Sequence, residues 1–327
     1  MISRLHRFVL VALALLALSP ASALAQATIQ PGTYFAGYYT NFYGTRYYQG
    51  YVPTSYHGQA MPLVVGLHGC TETAAGFELL TALDDLAEQR GFILVLPEQN
   101  PYFNSARCWN WTLTANQSRG AGEPSIIAGI TNWVRGNYNV DANRIHVTGI
   151  SAGGAMSVIM GATYPDLYAS IGVHSGCEYK GLPCGSGGGP DPTTAGNQMH
   201  SAMGSYKRVV PVIAFVGSAD VVAPPINTAQ IITSWAQTND RASDGVDNNN
   251  IDDIAEQAIP GQVPGGRSYT QYVYKNSTNG QVVLSQYIVD GMNHAWSGGC
   301  GCDPYGDPSG PNASSIMYDF FVAHPKQ

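Results

Sequence analysis

An alternation runs through most of this chain. Short runs of uninterrupted apolar residues are separated by stretches in which apolar residues recur at helical spacing. Leu63-Val64-Val65-Gly66-Leu67 and Phe92-Ile93-Leu94-Val95-Leu96 show no polar alternation. A strand with one face in water would alternate, so these runs need cover on both faces, the condition of a strand inside a parallel sheet flanked by helices. Between them Leu79, Leu80, Leu83, Leu86 and Ala87 share one helical face, and Gly91 is placed to end that helix. Glu123-Pro124 opens a second helix with Ile126, Ile127, Ile130, Trp133 and Val134 on one side.

The rhythm continues through a strand at 144–149, a small-residue helix at 152–162, strands at 170–173 and 209–216, and a helix at 227–237. Two strands, 268–275 and 281–289, flank the turn at Asn279-Gly280, and a helix at 314–323 closes the chain. The expected fold class is α/β: a mostly parallel sheet with helices on both faces, in one domain without internal repeats. Tyrosines at close to alternate positions between Tyr34 and Tyr51 predict antiparallel strands at a sheet edge, with aromatic packing as the default role.

The first segment is an address. Arg4 and Arg7 precede an apolar run from Phe8 to Leu18, and Ala23-Leu24-Ala25 offers small residues for cleavage before Gln26. The run is short of the ~20 residues that span a bilayer, so residues 1–25 are expected to be a secretory signal peptide. Cleavage leaves 302 residues, 26–327, with net charge −9, and no later segment apolar enough to cross a membrane. The 15 Lys and Arg are scattered, so no basic patch invites nucleic acid, and nothing implies an obligate protein partner.

The exported chain carries Cys70, Cys108, Cys177, Cys184, Cys300 and Cys302. An even number in an oxidising compartment favours disulfides over zinc. Proximity suggests Cys177 with Cys184, Cys70 with Cys108 would join two loops, and Cys300 with Cys302 is geometrically the most awkward, among 15 possible pairings. Two stretches break the rhythm. Cys184–Thr194 is glycine-rich and is expected to be a flexible loop, and 240–256 carries six acidic residues. The acidic stretch lacks the closing glutamate of a helix-loop-helix calcium site, so a solvated loop is expected and no metal is assigned.

Gly149-Ile150-Ser151-Ala152-Gly153 falls between a buried strand and a helix, where a nucleophile elbow belongs. A serine hydroxyl needs a base, and the base needs a carboxylate to set its tautomer. In sheets of this kind the order along the chain is serine, acid, histidine. His294 lies in a glycine-rich loop directly after a strand; His174 is too close behind the nucleophile, and His324 ends the last helix. Asp220 follows the strand at 209–216, and its competitor Asp290 is expected to cap a turn. Backbone donors for an oxyanion are expected from Ala152 and, after the strand ending at Leu67, from Cys70. This chemistry calls for no cofactor.

Leu67-His68-Gly69-Cys70, Cys108-Trp109-Asn110-Trp111, Gly149–Met156, Gly217-Ser218-Ala219-Asp220 and Gly291-Met292-Asn293-His294-Ala295-Trp296 occur in one order. That order resembles secreted polyhydroxybutyrate depolymerases and their esterase relatives, in the linear form with the oxyanion segment ahead of the serine. The resemblance runs from about Arg46 to the C-terminus. It implies a secreted serine esterase of α/β-hydrolase fold, with Ser151, Asp220 and His294 as triad and the amides of Cys70 and Ala152 as oxyanion hole. It further implies a substrate cleft lined by Trp109, Trp111 and Trp296 beside His68. Polymeric or oligomeric polyester is the implied substrate; a feruloyl or acetyl ester of polysaccharide, or a polyamide of the poly(aspartic acid) type, is the alternative. The chain ends 33 residues past His294, so no separate substrate-binding domain is expected, which favours amorphous over crystalline polymer.

Overall fold

The structure is a computed structural model that describes residues 32–181, 184 and 188–326. The expected signal peptide lies outside the described residues, as do 182, 183 and 185–187 of the glycine-rich stretch. Strands β1 (Thr33–Asn41) and β2 (Gly44–Val52) pair antiparallel from Thr33 opposite Val52 to Asn41 opposite Gly44. Along β2 alternate residues are buried, Arg46, Tyr48, Gly50 and Val52 facing the core, as the tyrosine pattern predicts.

The centre is built differently. Strand β3 (Met61–Leu67) is buried at every residue. It is followed by α1 (Ala74–Thr81), α2 (Leu83–Arg90) and β4 (Ile93–Glu98), then α3 (Gly122–Asn137), β5 (Val140–Ile150), α4 (Ala152–Thr163) and β6 (Ser170–His174). The chain continues with α5 (Pro192–Ala202), β7 (Val212–Gly217), α6 (Pro225–Asp244), β8 (Gln257–Gln262), β9 (Ser268–Lys275), β10 (Val282–Val289) and α7 (Ala313–Ala323). The sheet order is β1-β2-β4-β3-β5-β6-β7-β10-β9-β8. From β4 to β10 every neighbouring pair is parallel, and an antiparallel ribbon closes each edge.

Successive residues of β3 feed two cores. Leu63, Val65 and Leu67 pack with α3, α4 and α6, whereas Val64 packs with α1, α2 and α7. This is why the central runs lack polar alternation, and it places helices on both faces. No helix among the described residues is long and apolar enough to cross a membrane.

Four expectations change. The helix expected across 79–87 is two helices, because Ala82 adopts a left-handed conformation (φ 48°, ψ 38°) and resets the helical phase. Leu79 consequently points outward, while Gly91 ends α2 in the left-handed region as expected. Helix α5 begins inside the predicted loop, where the Asp191 side chain accepts from Thr194 N and Pro192 starts the first turn. Helix α6 runs to Asp244, seven residues beyond the expected end, and takes in the start of the acidic stretch. There Asp240 accepts from Asn248 N and Ile251 N, and Asp244 from Val246 N and the side chains of Asn248 and Asn250. These carboxylates are spent on shaping a turn, and no metal-binding group of three or more side chains exists among the described residues.

Candidate active site

All the parallel strands end on one edge of the sheet, and loops leaving that edge carry the site. Ser151 sits between β5 and α4 with φ 55° and ψ −120°, a conformation costly for any residue with a side chain. The strain is tolerated because the turn is anchored on both sides: Ser151 N donates to His174 O at 2.9 Å, and Ala155 N to Ser151 O at 2.9 Å. Gly153 is required by close approach, since a Cβ there would lie 2.0 Å from Leu67 O.

Asp220 and His294 come from the loops after β7 and β10. These neighbours are tied together: Ser218 N donates to Val289 O, Ala219 N to Met292 O, and Gly291 N to Ser218 Oγ. Gly217 permits the contact, because a Cβ there would meet Met292 O at 2.0 Å. The result is a hydrogen bond of 2.8 Å between His294 Nδ1 and Asp220 Oδ2. Asp220 Oδ1 accepts from Val222 N and Ala223 N at 2.9 and 2.8 Å. Burial pulls the Asp220 carboxyl upward, but the hydrogen bond and charge of His294, with bonds from Ala223 and Ser175, outweigh it and hold the group below the usual carboxylate range. An ionised acid therefore faces the imidazole and fixes its Nδ1–H tautomer. Asp290, the competing acid, is exposed and accepts from Ser268 Oγ at 2.6 Å, away from His294.

Ser151 and His294 line one pocket of about 150 Å³, although no hydrogen bond joins Ser151 Oγ to His294 in this conformation. Such contacts are often loose before substrate binds. Gly69, Cys70 and Glu72 form the wall contributed by the loop after β3; Ile150, Val222 and Tyr305 complete it. The amides of Cys70 and Ala152 have no acceptor among the described residues, Ala152 being the first residue of α4. A disulfide from Cys70 to Cys108 braces this loop; Cys177–Cys184 and Cys300–Cys302 are also formed.

The residues assigned to a substrate cleft are not brought to this pocket. None of His68, Trp109, Trp111 and Trp296 lines the Ser151 pocket. His68 is fully buried, donating Nδ1–H to Gly69 O at 2.6 Å and accepting Gln99 N at Nε2 at 2.9 Å. Burial lowers its pKa to about 4, so it is a neutral strut under the loop. Trp109 is fully buried against it, ring centroids 5.6 Å apart. Trp296 stacks on His174 at 5.0 Å and donates to Ser314 Oγ, and Trp111 packs half-buried on the core. Such rings supply large apolar area, which a core uses as readily as a cleft. The residue that sequence reasoning passed over is Glu72; the signal was a carboxylate three residues after Gly69 in the oxyanion loop.

Residues 46–186 match the family model described as esterase PHB depolymerase. Over those residues the chain carries a domain of the PHB depolymerase esterase family. Within its curated relatives, poly(3-hydroxyalkanoate) depolymerase C of Paucimonas lemoignei is 31% identical over 253 residues, covering 75% of this chain and 57% of that protein. Acetylxylan esterase A of Emericella nidulans is 35% identical over 192 residues, covering 53% and 61%. The chain thus spans less than two thirds of the length of either relative. Of the solved structures, the acetyl xylan esterase from Aspergillus awamori matches with a TM-score of 0.64 at 23% identity, over 80% of this chain and 94% of that one. That likeness extends to the α/β-hydrolase fold.

Proposed function

We propose that the chain is a serine esterase that hydrolyses ester bonds of a polyhydroxyalkanoate-type polyester or its oligomers through an acyl-enzyme. Ser151 Oγ attacks the ester carbonyl while His294 Nε2 takes its proton, and Asp220 stabilises the imidazolium. The amides of Cys70 and Ala152 receive the oxyanion. His294 then returns the proton to the leaving alcohol, and water activated by the same imidazole releases the acid. The observation that carries this reading is the His294–Asp220 hydrogen bond of 2.8 Å at the pocket that Ser151 also lines. The apolar Ile150 and Val222 in the wall suit an aliphatic acyl group. Action in an oxidising compartment is part of the proposal, supported by three disulfides.

Polyester is favoured by the 75% of the chain aligned with the poly(3-hydroxyalkanoate) depolymerase. A second reading, an acetyl or feruloyl esterase with the same residues in the same roles, is favoured by the higher identity to acetylxylan esterase A over a shorter span. Release of 3-hydroxybutyrate products from an amorphous polyhydroxybutyrate suspension separates them, with Ser151→Ala as control. Serine-dependent release is expected; hydrolysis of acetylated xylan without release from the polyester would favour the second reading.

A further inference from the structure

The Ser151 pocket contains one polar group that the reaction above does not use. Glu72 is 8% exposed, and its Oε2 accepts from Gly69 N at 2.6 Å. Its Oε1 is buried and has no hydrogen-bond partner. A buried carboxyl oxygen without a donor is costly, and Glu72 is one of the residues that form the pocket wall. The wall beside Glu72 is apolar at Ile150 and Val222, which offer no hydrogen-bond donor from their side chains. The carboxyl and the nucleophile border the same gap: a methyl placed on Gly69 would lie 3.1 Å from Glu72 Oε2 and 3.5 Å from Ser151 Cβ.

We propose that Glu72 Oε1 is a hydrogen-bonding subsite that selects esters whose acyl group carries a hydroxyl on its third carbon, as the 3-hydroxyacyl end of a polyester chain does. The inference rests on the esterase reading and deepens it. A hydroxyl two carbons from the carbonyl stays close to the nucleophile once the carbonyl is seated, and it donates to the oxygen that the protein leaves unmatched. A site built to bond a hydroxyl discriminates against the analogue that lacks it, because the site's own polar group is then stranded. Burial, opposed by the bond from Gly69 and aided by the charge of Asp303, pushes the Glu72 carboxyl up to about 7. Since a hydroxyl both donates and accepts, it can pair with either form of the acid.

The test compares kcat/KM for ethyl (R)-3-hydroxybutyrate and ethyl butyrate in the wild type, Glu72→Met and Ser151→Ala. The wild type is expected to prefer the hydroxy ester about tenfold, the worth of one hydrogen bond to a charged or half-charged partner. Glu72→Met is expected to bring the ratio close to one, chiefly by slowing the hydroxy ester. No preference in the wild type overturns the subsite, and this measurement needs no variant to fold. Equal losses for both esters in Glu72→Met also overturn it, since Glu72 would then act on the loop alone. Undiminished hydrolysis of both esters by Ser151→Ala would overturn the esterase reading and the subsite with it, a result distinguishable from the other two.

Discussion

Glu123 and Glu72 are both buried carboxylates near the edge of the sheet where the parallel strands end, and their oxygens are used in opposite ways. Glu123, in the first turn of α3, accepts four hydrogen bonds: from Arg46 Nη2 at 3.0 Å, from Gln99 Nε2, and from the backbone and side chain of Asn110, both at 2.7 Å. Glu72 accepts one and keeps an oxygen free. Around Glu123 the carboxylate is matched to its limit, and the segment carrying Trp109 and Asn110 is locked to the sheet. In the Ser151 pocket the amides of Cys70 and Ala152 and one oxygen of Glu72 are unmatched. Satisfied polar atoms hold a fold, and unsatisfied ones in a pocket are available to a ligand. The two clusters are mechanically joined: Gln99 Nε2 donates to Cys108 O at 2.9 Å, and Cys108 is bonded to Cys70.

This contrast can be broken from either side. Removing the open side should cost function alone. Ser151→Ala is expected to lower ester hydrolysis by about 10⁴-fold or more with an unchanged urea midpoint, read by initial rates and equilibrium unfolding. Removing the closed side should cost the fold. Glu123→Ala strands the Arg46 guanidinium, which is 1% exposed, and is expected to destabilise by about 3–5 kcal/mol in urea titration. A loss below about 1 kcal/mol would deny the network that role.

The joint between them should affect both. Cys70→Ser with Cys108→Ser opens a link across 38 residues and is expected to cost about 2–4 kcal/mol together with a lower kcat, because the amide at position 70 loses its brace. The effect that is smallest at neutral pH, and grows on acidification, concerns the buried His146. His146 is fully buried, and burial holds its pKa at about 3, below its unfolded value. The unfolded chain therefore binds the extra proton, so His146 contributes stability above about pH 6.5 that is lost as pH falls toward 3. His146→Phe should flatten the slope of unfolding free energy between pH 6.5 and 4 by about 1.4 kcal/mol per unit, whatever it does to the level. An unchanged slope would show that His146 is not kept neutral.

The centre of the molecule was legible because burial on both faces leaves a direct mark, as in Leu63–Leu67 and Ile93–Leu96. The order Ser151, Asp220, His294 was legible for a related reason: loops at the ends of such strands converge, and the structure brings these three residues to one pocket or directly behind it. What escaped the sequence had no such mark. Ala82 breaks a helix while Leu80 and Leu83 stay buried on either side, so spacing alone runs through the break. Strand β8 is largely exposed and is held by pairing with β9, which leaves no apolar pattern to find. The Asp191-Pro192 start of α5 was a readable cap, overlooked beside a run of glycines. Trp109 and Trp296 show the opposite failure, since a ring says how much area it covers and not whether that area faces a ligand.

In the proposed mechanism the open cluster is built around an activated serine. Its most direct test is intact-mass and peptide mapping after treatment with a fluorophosphonate at neutral pH. One adduct per chain, located at Ser151, abolished in Ser151→Ala and sharply slowed in Asp220→Asn, is the predicted result. A folded wild-type protein that takes no adduct, or takes it with undiminished rate in Ser151→Ala, would contradict the account.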